Sequence, residues 1–281
     1  MKILICGHRA YAAKGLCSEL KNKGYEVVCF SRGEQKKEGN VITGNVLEID
    51  NNHYLINDKF DVIINFILLA DASINDNIRY ISALCNLADK TETKKLIHMS
   101  SISCYPNDSA LISANTAIDS HPEFKGYYGA LKINVDNYLL NRKSKFKVVM
   151  MRPGFITAPD KKNALSGIAK VLPGGFVILM GNKKSTLPLC ERHDLHMTIL
   201  DAIEAEEPNN VYLLVGNGNG TKYSYLKTVL PNSIVIPLSK VMVVGIAKIL
   251  KSIWLFDERK YQMVKGQFKV QHFVGEAKIK I

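Results

Sequence analysis

The chain opens with Lys2-Ile3-Leu4-Ile5-Cys6-Gly7-His8-Arg9-Ala10-Tyr11-Ala12-Ala13, a mainly apolar run that meets a turn of small residues. This order is typical of a buried parallel strand that leads through a tight turn into a helix. Small residues there let the backbone approach a pyrophosphate at the helix N-terminus. Gly7 fills the first small position, whereas Ala10 and Ala13 fill the later ones. The turn therefore predicts a dinucleotide site with less room than three glycines would leave.

The same rhythm continues to residue 152. Apolar runs and helical stretches alternate in the order Lys2–Cys6, Ala12–Lys23, Glu26–Phe30, Val41–Ile42, Val62–Leu69, Ile78–Ala88, Leu96–Met99 and, after a helix over Tyr128–Leu140, Lys147–Met151. Strands that are almost wholly apolar, with helices between them, indicate a parallel sheet covered on both faces. The predicted fold class is α/β, a Rossmann-type doubly wound parallel sheet with a smaller C-terminal substrate-binding lobe.

The predicted domain boundaries lie where this alternation of strands and helices ends. Residues 1–154 form the dinucleotide-binding domain, and residues 193–216 rejoin it through a helix over Asp194–Ala205 and a strand over Val211–Val215. Residues 155–192 and 217–281 are richer in Pro, Gly and Lys, and we expect them to form the smaller substrate-binding lobe.

Composition narrows the class of protein. The 281 residues are 47% apolar, which is enough for a full core. The net charge is +11, but nine Lys or Arg against three Asp or Glu place +6 of it between Leu238 and Ile281. No basic stripe with interleaved aromatic residues occurs, so we expect no nucleic-acid partner. Six dispersed cysteines and no signal-peptide pattern predict reduced thiols and a cytoplasmic location.

Two residues four apart, Tyr128 and Lys132, suggest redox chemistry. On a helix they share one face, where the lysine ammonium favours the phenolate of the tyrosine. Ser101 follows an apolar run at a predicted strand end and can donate to the same substrate oxygen. Together they could move a proton while a hydride moves to or from a nicotinamide. The spacing alone is common in this chain, since Tyr223 with Lys227 and Tyr261 with Lys265 repeat it.

The end of the second strand bears on the choice of cofactor. An NAD site usually has an acidic residue here against the ribose 2′-hydroxyl, but this chain has Ser31 and Arg32, with Lys36 and Lys37 nearby. A hydroxyl and a guanidinium suit a 2′-phosphate. The sequence therefore favours NADP(H), with NAD as the alternative.

Residues 241–256 form an apolar segment, and Lys240 just before it falls with Lys248 and Lys251 on one side of a predicted helix. The segment is too short and too charged to span a bilayer. The favoured interpretation is a helix packed on its own domain, and the alternative is a peripheral membrane contact.

Taken together, these motifs resemble the extended short-chain dehydrogenase/reductase family, in particular its NAD(P)-dependent epimerase/dehydratase branch that acts on nucleotide sugars. The matching segments are Gly7-xx-Ala10-xx-Ala13, Gly44-Asn45-Val46, Asp61-Val62-Ile63-Ile64-Asn65, Asn77-Ile78, Ser100-Ser101-Ile102-Ser103-Cys104-Tyr105, Tyr128 with Lys132, Arg152-Pro153-Gly154, Ala158-Pro159 and His193-Asp194-Leu195.

The resemblance implies roles for individual residues. Tyr128 would be the acid or base, Lys132 its electrostatic partner and a ribose contact, and Ser101 the donor to the substrate oxygen. The implied cofactor contacts are Gly7, Arg9, Ala10, Tyr11, Ser31, Arg32, Asn45, Val46, Phe66, Tyr128, Lys132 and Pro153. No metal site is expected, because the histidines are dispersed.

The resemblance also implies a nucleotide-sugar substrate and a place in polysaccharide biosynthesis. Ile102-Ser103 stands where 4,6-dehydratases carry Asp-Glu, which argues against elimination. Reduction and epimerisation stay open, and Ser31-Arg32 favours a keto-sugar reductase. The alternative is a non-catalytic NADP-binding or scaffold protein of the same fold, and a homodimer is compatible with either. Candidate contacts for the substrate diphosphate are Lys161, Lys162, Lys170, Lys183, Lys184 and Arg192.

Overall fold

A computed structural model of the chain describes residues 1–158, 168–216 and 220–275. The strands are β1 Lys2–Cys6, β2 Glu26–Arg32, β3 Lys36–Glu38, β4 Val41–Gly44, β5 Val62–Asn65, β6 Lys95–Met99, β7 Leu111–Ser113, β8 Lys147–Pro153, β9 Phe155–Thr157, β10 Ala169–Val171, β11 Phe176–Leu179, β12 Leu189–Glu191, β13 Val211–Leu214, β14 Ile234–Pro237 and β15 His272–Val274. The helices are α1 Leu16–Asn22, α2 His53–Ile56, α3 Ile74–Lys90, α4 Tyr127–Asn141, α5 Arg192–Glu204, α6 Lys222–Val229, α7 Lys240–Ser252 and α8 Glu258–Gly266.

The central element is an eight-stranded sheet in the order β13-β8-β6-β5-β1-β2-β4-β3. The strands from β8 to β4 run parallel, and β3 pairs antiparallel with β4. Their residues are buried on both faces, as in β1, where Ile3, Leu4 and Ile5 have no exposed surface. The predicted Rossmann-type doubly wound sheet is confirmed.

Strand order determines where a ligand can bind. From β1 the chain builds outward through β2 and β4, and it then returns to the other side of β1 for β5, β6 and β8. The direction of winding therefore changes between β1 and β5. Open α/β sheets bind ligands outside the carboxyl ends of the strands at such a point.

Two local predictions need correction. The helix predicted over Ala12–Lys23 begins only at Leu16, because Gly15 adopts a left-handed backbone (φ 96°) that cannot continue a helix. Tyr11–Ala13 instead forms a short 3-10 turn. The apolar run Val62–Leu69 is strand only as far as Asn65, and the rest is a loop.

The described chain divides into two compact units. The first consists of Met1–Ser101, Leu131–Arg152 and His193–Tyr212, and it contains most of the large sheet. The second consists of Ile102–Ala130, Pro153–Arg192 and Leu213–Ile281, described apart from the gaps already given. It contains three small sheets, β10-β11-β14, β9-β12 and β7-β15. Among the residues described, no helix is long and apolar enough to cross a membrane.

Candidate functional site

The dinucleotide turn is closely packed at Gly7. Its backbone has a positive φ of 83°, and its N–H donates to the Phe30 carbonyl at 2.8 Å. A Cβ at this position would lie 2.9 Å from Ile67 Cγ1 and 3.1 Å from the Ile67 backbone nitrogen. Glycine is therefore required here both for its backbone conformation and for the approach of the loop after β5.

A cavity of about 640 Å³ opens beside this turn, within the first unit. Seven of the predicted cofactor residues line it, namely Gly7, Ala10, Ser31, Arg32, Asn45, Val46 and Phe66. Arg9 and Tyr11 flank Ala10 in the same turn but do not line the cavity. The methyl group of Ala10 leaves the cavity open, so the alanines of the turn do not fill this space.

Ser31 and Arg32 end β2, where they pair with Thr43 and Gly44 of β4. Ser31 is 7% exposed, and its buried Oγ has no hydrogen-bond partner within the described part of the chain. Arg32 is exposed. A buried hydroxyl without a partner is costly unless a ligand or water satisfies it. The pair therefore presents one hydroxyl and one guanidinium to an anionic ligand in the cavity.

A buried hydrogen-bond network lies behind the loop after β5. The Asn65 amide donates to His98 Nδ1 at 3.1 Å, while its Oδ1 accepts from Tyr80 Oη at 2.7 Å and from the Ile67 N–H at 3.0 Å. Burial, helped by the charge of Lys132, holds the pKa of His98 well below its usual value. The imidazole is therefore neutral and can accept from Asn65, which in turn positions Ile67 against Gly7.

The same loop forms one wall of the cavity, through Phe66 to Ala72 and Asp76. Asn77 of α3 fastens it: the side-chain oxygen accepts from the Leu69 N–H, and the amide donates to the carbonyls of Leu69 and Ser73, each at 3.0 Å. Asp71 and Asp76 add two carboxylates to the wall. The sequence interpretation identified neither acid, because Asp71 lies in the loop after β5 and Asp76 in the first turn of α3, outside the motifs that were matched.

Two of the three predicted catalytic residues lie at the end of β6. Ser101 follows that strand and is 8% exposed, and Lys132 of α4 is 4% exposed. The Lys132 ammonium donates to the Met99 carbonyl at 2.6 Å. Tyr128 lies in the first turn of α4, one helical turn before Lys132, and is 48% exposed. Tyr128 and Pro153 fall in the second unit.

A buried ion pair supports this region, and the sequence interpretation missed it. Asp136, with no exposed surface, accepts from Ser100 Oγ at 2.7 Å and from Arg152 Nε and Nη2 at 3.2 and 3.1 Å. Burial raises the pKa of Asp136, and the Arg152 guanidinium opposes that rise. Because Asp136 lies one turn after Lys132, the pair anchors the middle of α4 to the ends of β6 and β8. An acidic residue four positions after Lys132 was the available signal.

The second unit has a cavity of its own, of about 500 Å³. Four lysines line it, Lys125, Lys240, Lys265 and Lys269, together with Asp108 and Asp119. Lys125 Nζ contacts the Tyr105 carbonyl at 2.5 Å, Asn107 Oδ1 at 2.9 Å and Asp119 Oδ2 at 3.0 Å. Burial, with the charges of Lys125 and Lys222, lowers the pKa of Lys269 to about 7.

The lysines predicted to meet a substrate diphosphate do not line this cavity. Lys170, Lys183 and Lys184 are exposed and Arg192 is half-buried. Lys161 and Lys162, like Pro159 of the Ala158-Pro159 motif, lie outside the described residues. Within the part of the chain that is described, no group of three His, Cys, Asp or Glu side chains could hold a metal ion.

Comparison with known proteins identifies a family. The model of the NAD dependent epimerase/dehydratase family matches residues 3–214. No curated protein sequence matches the chain.

Solved structures share the fold. A short-chain dehydrogenase/reductase superfamily protein from Agrobacterium tumefaciens with bound NAD has a TM-score of 0.67 and 12% identity, over 85% of each chain. MoeE5 in complex with UDP-glucose and NAD has the same TM-score and 14% identity, also over 85% of each chain. Human epimerase family protein SDR39U1 (isoform 2) with NADPH has a TM-score of 0.67 and 16% identity, over 99% of this chain and 92% of that one.

Proposed function

The chain belongs to the NAD-dependent epimerase/dehydratase family, and on that premise we propose that it is an NADP-dependent reductase of a keto-sugar carried on a nucleotide. The observation that carries the cofactor choice is the buried Ser31 hydroxyl, which has no partner among the described residues and lines the cavity beside Arg32. A ribose 2′-phosphate would accept from both groups. Gly7 fits a dinucleotide as well, because a Cβ there would close the turn.

In the proposed reaction, bound NADPH supplies a hydride to the carbonyl carbon of the sugar. The Tyr128 hydroxyl gives its proton to the carbonyl oxygen, which becomes the product hydroxyl. Lys132 stabilises the phenolate that remains, and its hydrogen bond to Met99 holds it beside the strand end that leads to Ser101. The Ser101 hydroxyl donates to the same substrate oxygen and orients the carbonyl.

The substrate diphosphate, in this proposal, binds in the lysine-lined cavity of the second unit. Four lysines against two aspartates leave that wall with an excess of two positive charges when Lys269 is protonated, which suits a diphosphate. A diphosphate in this cavity would be shielded from solvent more than one held by the exposed Lys170, Lys183 and Lys184. We expect Lys269→Met to raise KM for the sugar nucleotide with little change in kcat. A Lys184→Ala variant serves as the exposed control.

A second candidate is an NAD-dependent epimerase that retains its cofactor. Asp71 and Asp76 favour it, because two carboxylates on the cavity wall disfavour an additional phosphate. MoeE5, with UDP-glucose and NAD, offers the same combination of ligands. A non-catalytic NADP-binding protein of this fold would use the cavity alone, without need of Tyr128.

The setting we propose is the reducing cytoplasm, because none of the six cysteines, all of which are described, forms a disulfide. Nucleotide sugars are the substrates from which polysaccharides are assembled, so polysaccharide biosynthesis is the proposed context.

Cofactor affinity tests this proposal. We expect NADPH to bind at least about tenfold more tightly than NADH, a difference of about 1.4 kcal/mol, and Ser31→Asp to reverse that order by repelling the 2′-phosphate. Titration of cofactor fluorescence measures both constants. Ser18→Asp, on the exposed surface of α1, is the matched control and should leave the ratio unchanged. Tighter binding of NADH by the native protein would favour the epimerase.

A further inference from the structure

Helix α7 exposes apolar side chains along its outer face. Met242, Ile246, Ile249 and Ile253 are exposed by 67, 54, 62 and 55%. Their spacing of four, three and four residues puts them in one stripe along the helix and its C-cap. A surface helix normally carries polar residues there. Such a stripe either binds a partner or promotes aggregation of the protein in water.

The turn after α7 extends this surface. Trp254, the only tryptophan of the chain, is 94% exposed, and Leu255 is 63% exposed. Trp254 has a positive φ of 63°, which is rare for a large side chain. The turn is closed by bonds from the Trp254 N–H to the Lys251 carbonyl at 3.1 Å and from the Leu255 N–H to the Leu250 carbonyl at 2.9 Å. An ordered turn therefore presents the indole to solvent.

The opposite side of α7 is already occupied. Ala247 is 2% exposed, and α7 packs against α8 in the same unit. The outer stripe is therefore not needed for the contacts that fix the helix on its own unit. The packed-helix interpretation accounts for the inner face only.

Charge identifies the partner. Lys248 and Lys251 of α7 are exposed, with Lys251 paired to Glu258 of α8, and no acidic residue occurs between Ser239 and Phe256. The segment 238–281 as a whole carries an excess of six positive charges. Two copies joined through the stripe would bring like charges together, whereas an anionic bilayer surface would attract them. An apolar helix stripe with an exposed tryptophan, on a helix whose polar side carries lysines, is the combination that lies in the headgroup region of membranes.

We propose that α7 and the turn Ile253–Leu255 bind the surface of an anionic lipid bilayer. The stripe and Trp254 would enter the boundary between headgroups and acyl chains, and Lys248 would contact the lipid phosphates. This site is separate from the cofactor cavity and goes beyond the proposed reductase activity. The protein would meet its substrate at a membrane surface without spanning the bilayer.

The single tryptophan gives a direct test on the full chain. Vesicles of phosphatidylglycerol mixed with phosphatidylcholine should shift the Trp254 emission to shorter wavelength and carry the protein into the vesicle pellet. Vesicles of phosphatidylcholine alone should do neither, and added salt should weaken binding to the anionic vesicles. We expect Ile249→Glu to weaken vesicle binding by about tenfold or more. Leu111→Glu, at a 60% exposed apolar residue of β7, should bind as the native protein does.

Circular dichroism and NADPH titration verify that both variants keep their fold. An unshifted Trp254 emission with anionic vesicles overturns the proposal, and so does equal binding to neutral vesicles. Sedimentation equilibrium measures the oligomeric state and so tests whether a second copy of the chain covers the stripe instead. A dimer that Ile249→Glu converts to monomer, together with no vesicle binding, assigns the stripe to a second copy of the chain instead.

Discussion

Gly7 is the residue on which the dinucleotide turn depends most. Gly7→Ala combines a positive φ with a contact to the Ile67 backbone, and such strain costs of order 1–3 kcal/mol. Because the loop after β5 would have to move, we expect NADPH affinity to fall by about tenfold or more, as measured by fluorescence titration. Gly24 shares the φ of 83° but has nothing within 4 Å of an added Cβ. Gly24→Ala should therefore lower stability without changing affinity, and an equal affinity loss in both variants would contradict this account.

A second prediction concerns the contribution of the buried Asp136–Arg152 ion pair to the stability of the fold. Removing the Asp136 charge leaves the buried Arg152 guanidinium without this carboxylate, and breaking a buried ion pair in this way costs about 3–5 kcal/mol. We expect Asp136→Asn to lower the free energy of unfolding in urea by that amount. The exposed Asp201 of α5 provides the control, and Asp201→Asn should change stability by less than about 0.5 kcal/mol. A stable Asp136→Asn protein would show that the pair does not anchor α4.

The location of a single residue could be predicted from the sequence where a local motif determines it. It could not be predicted where contacts with distant residues determine it. Ser31 and Arg32 follow an apolar run, so their place at the cavity could be predicted from the sequence. Asn65 and Asp136 are polar residues whose partners come from distant parts of the chain, such as His98 and Arg152. Only the folded sheet brings those partners together. The catalytic roles assigned to Ser101, Tyr128 and Lys132 stay predictions.

Helix α3 positions the loop that lines the cavity beside Gly7, through the side-chain hydrogen bonds of Asn77. Asn77→Ala leaves the N–H and carbonyl of Leu69 without these partners, at a cost of about 1–3 kcal/mol for each group that stays buried. We expect a looser loop, weaker NADPH binding and faster amide exchange at Leu69. Asn86, on the same helix, donates to Asp50 at 3.2 Å and accepts from Arg142 at 3.4 Å, and neither of these residues belongs to the loop. Asn86→Ala should leave exchange at Leu69 unchanged, and equal exchange in the two variants would refute the fastening role.

Among the elements, the parallel strands were the most predictable. β1, β2, β4, β5, β6 and β8 are short and apolar on both faces, so local composition suffices to find them. The start of α1 was not predictable, because the left-handed Gly15 interrupts a stretch with good helical composition. The strands of the second unit escaped prediction for another reason. β7 and β15 have three residues each and pair across most of the chain, and no local pattern encodes that pairing.

The protein as a whole should become more stable as pH rises above neutral. Burial and neighbouring lysines lower the pKa of Lys269 to about 7 from 10.5. Between these values the unfolded chain binds the proton and the folded chain does not, so unfolding is disfavoured increasingly with pH. This contribution amounts to about 1.4 kcal/mol per pH unit at most. Urea unfolding across this window should show a smaller rise for Lys269→Met than for the native protein. Lys145→Met, at an exposed lysine, should keep the native slope, and an unaltered slope in Lys269→Met would contradict the assignment.

We propose that the protein reduces a carbonyl with a hydride from NADPH, with Tyr128 as the proton donor. The most direct measurement supplies NADPH deuterated at the transferable position of C4, together with a set of keto-sugar nucleotides, and follows the product by mass spectrometry. We predict that one deuterium enters the product carbinol as one NADPH is consumed, and that Tyr128→Phe abolishes this transfer while still binding NADPH. Epimerised product without deuterium and without consumption of NADPH, or transfer that survives in Tyr128→Phe, would contradict the claim.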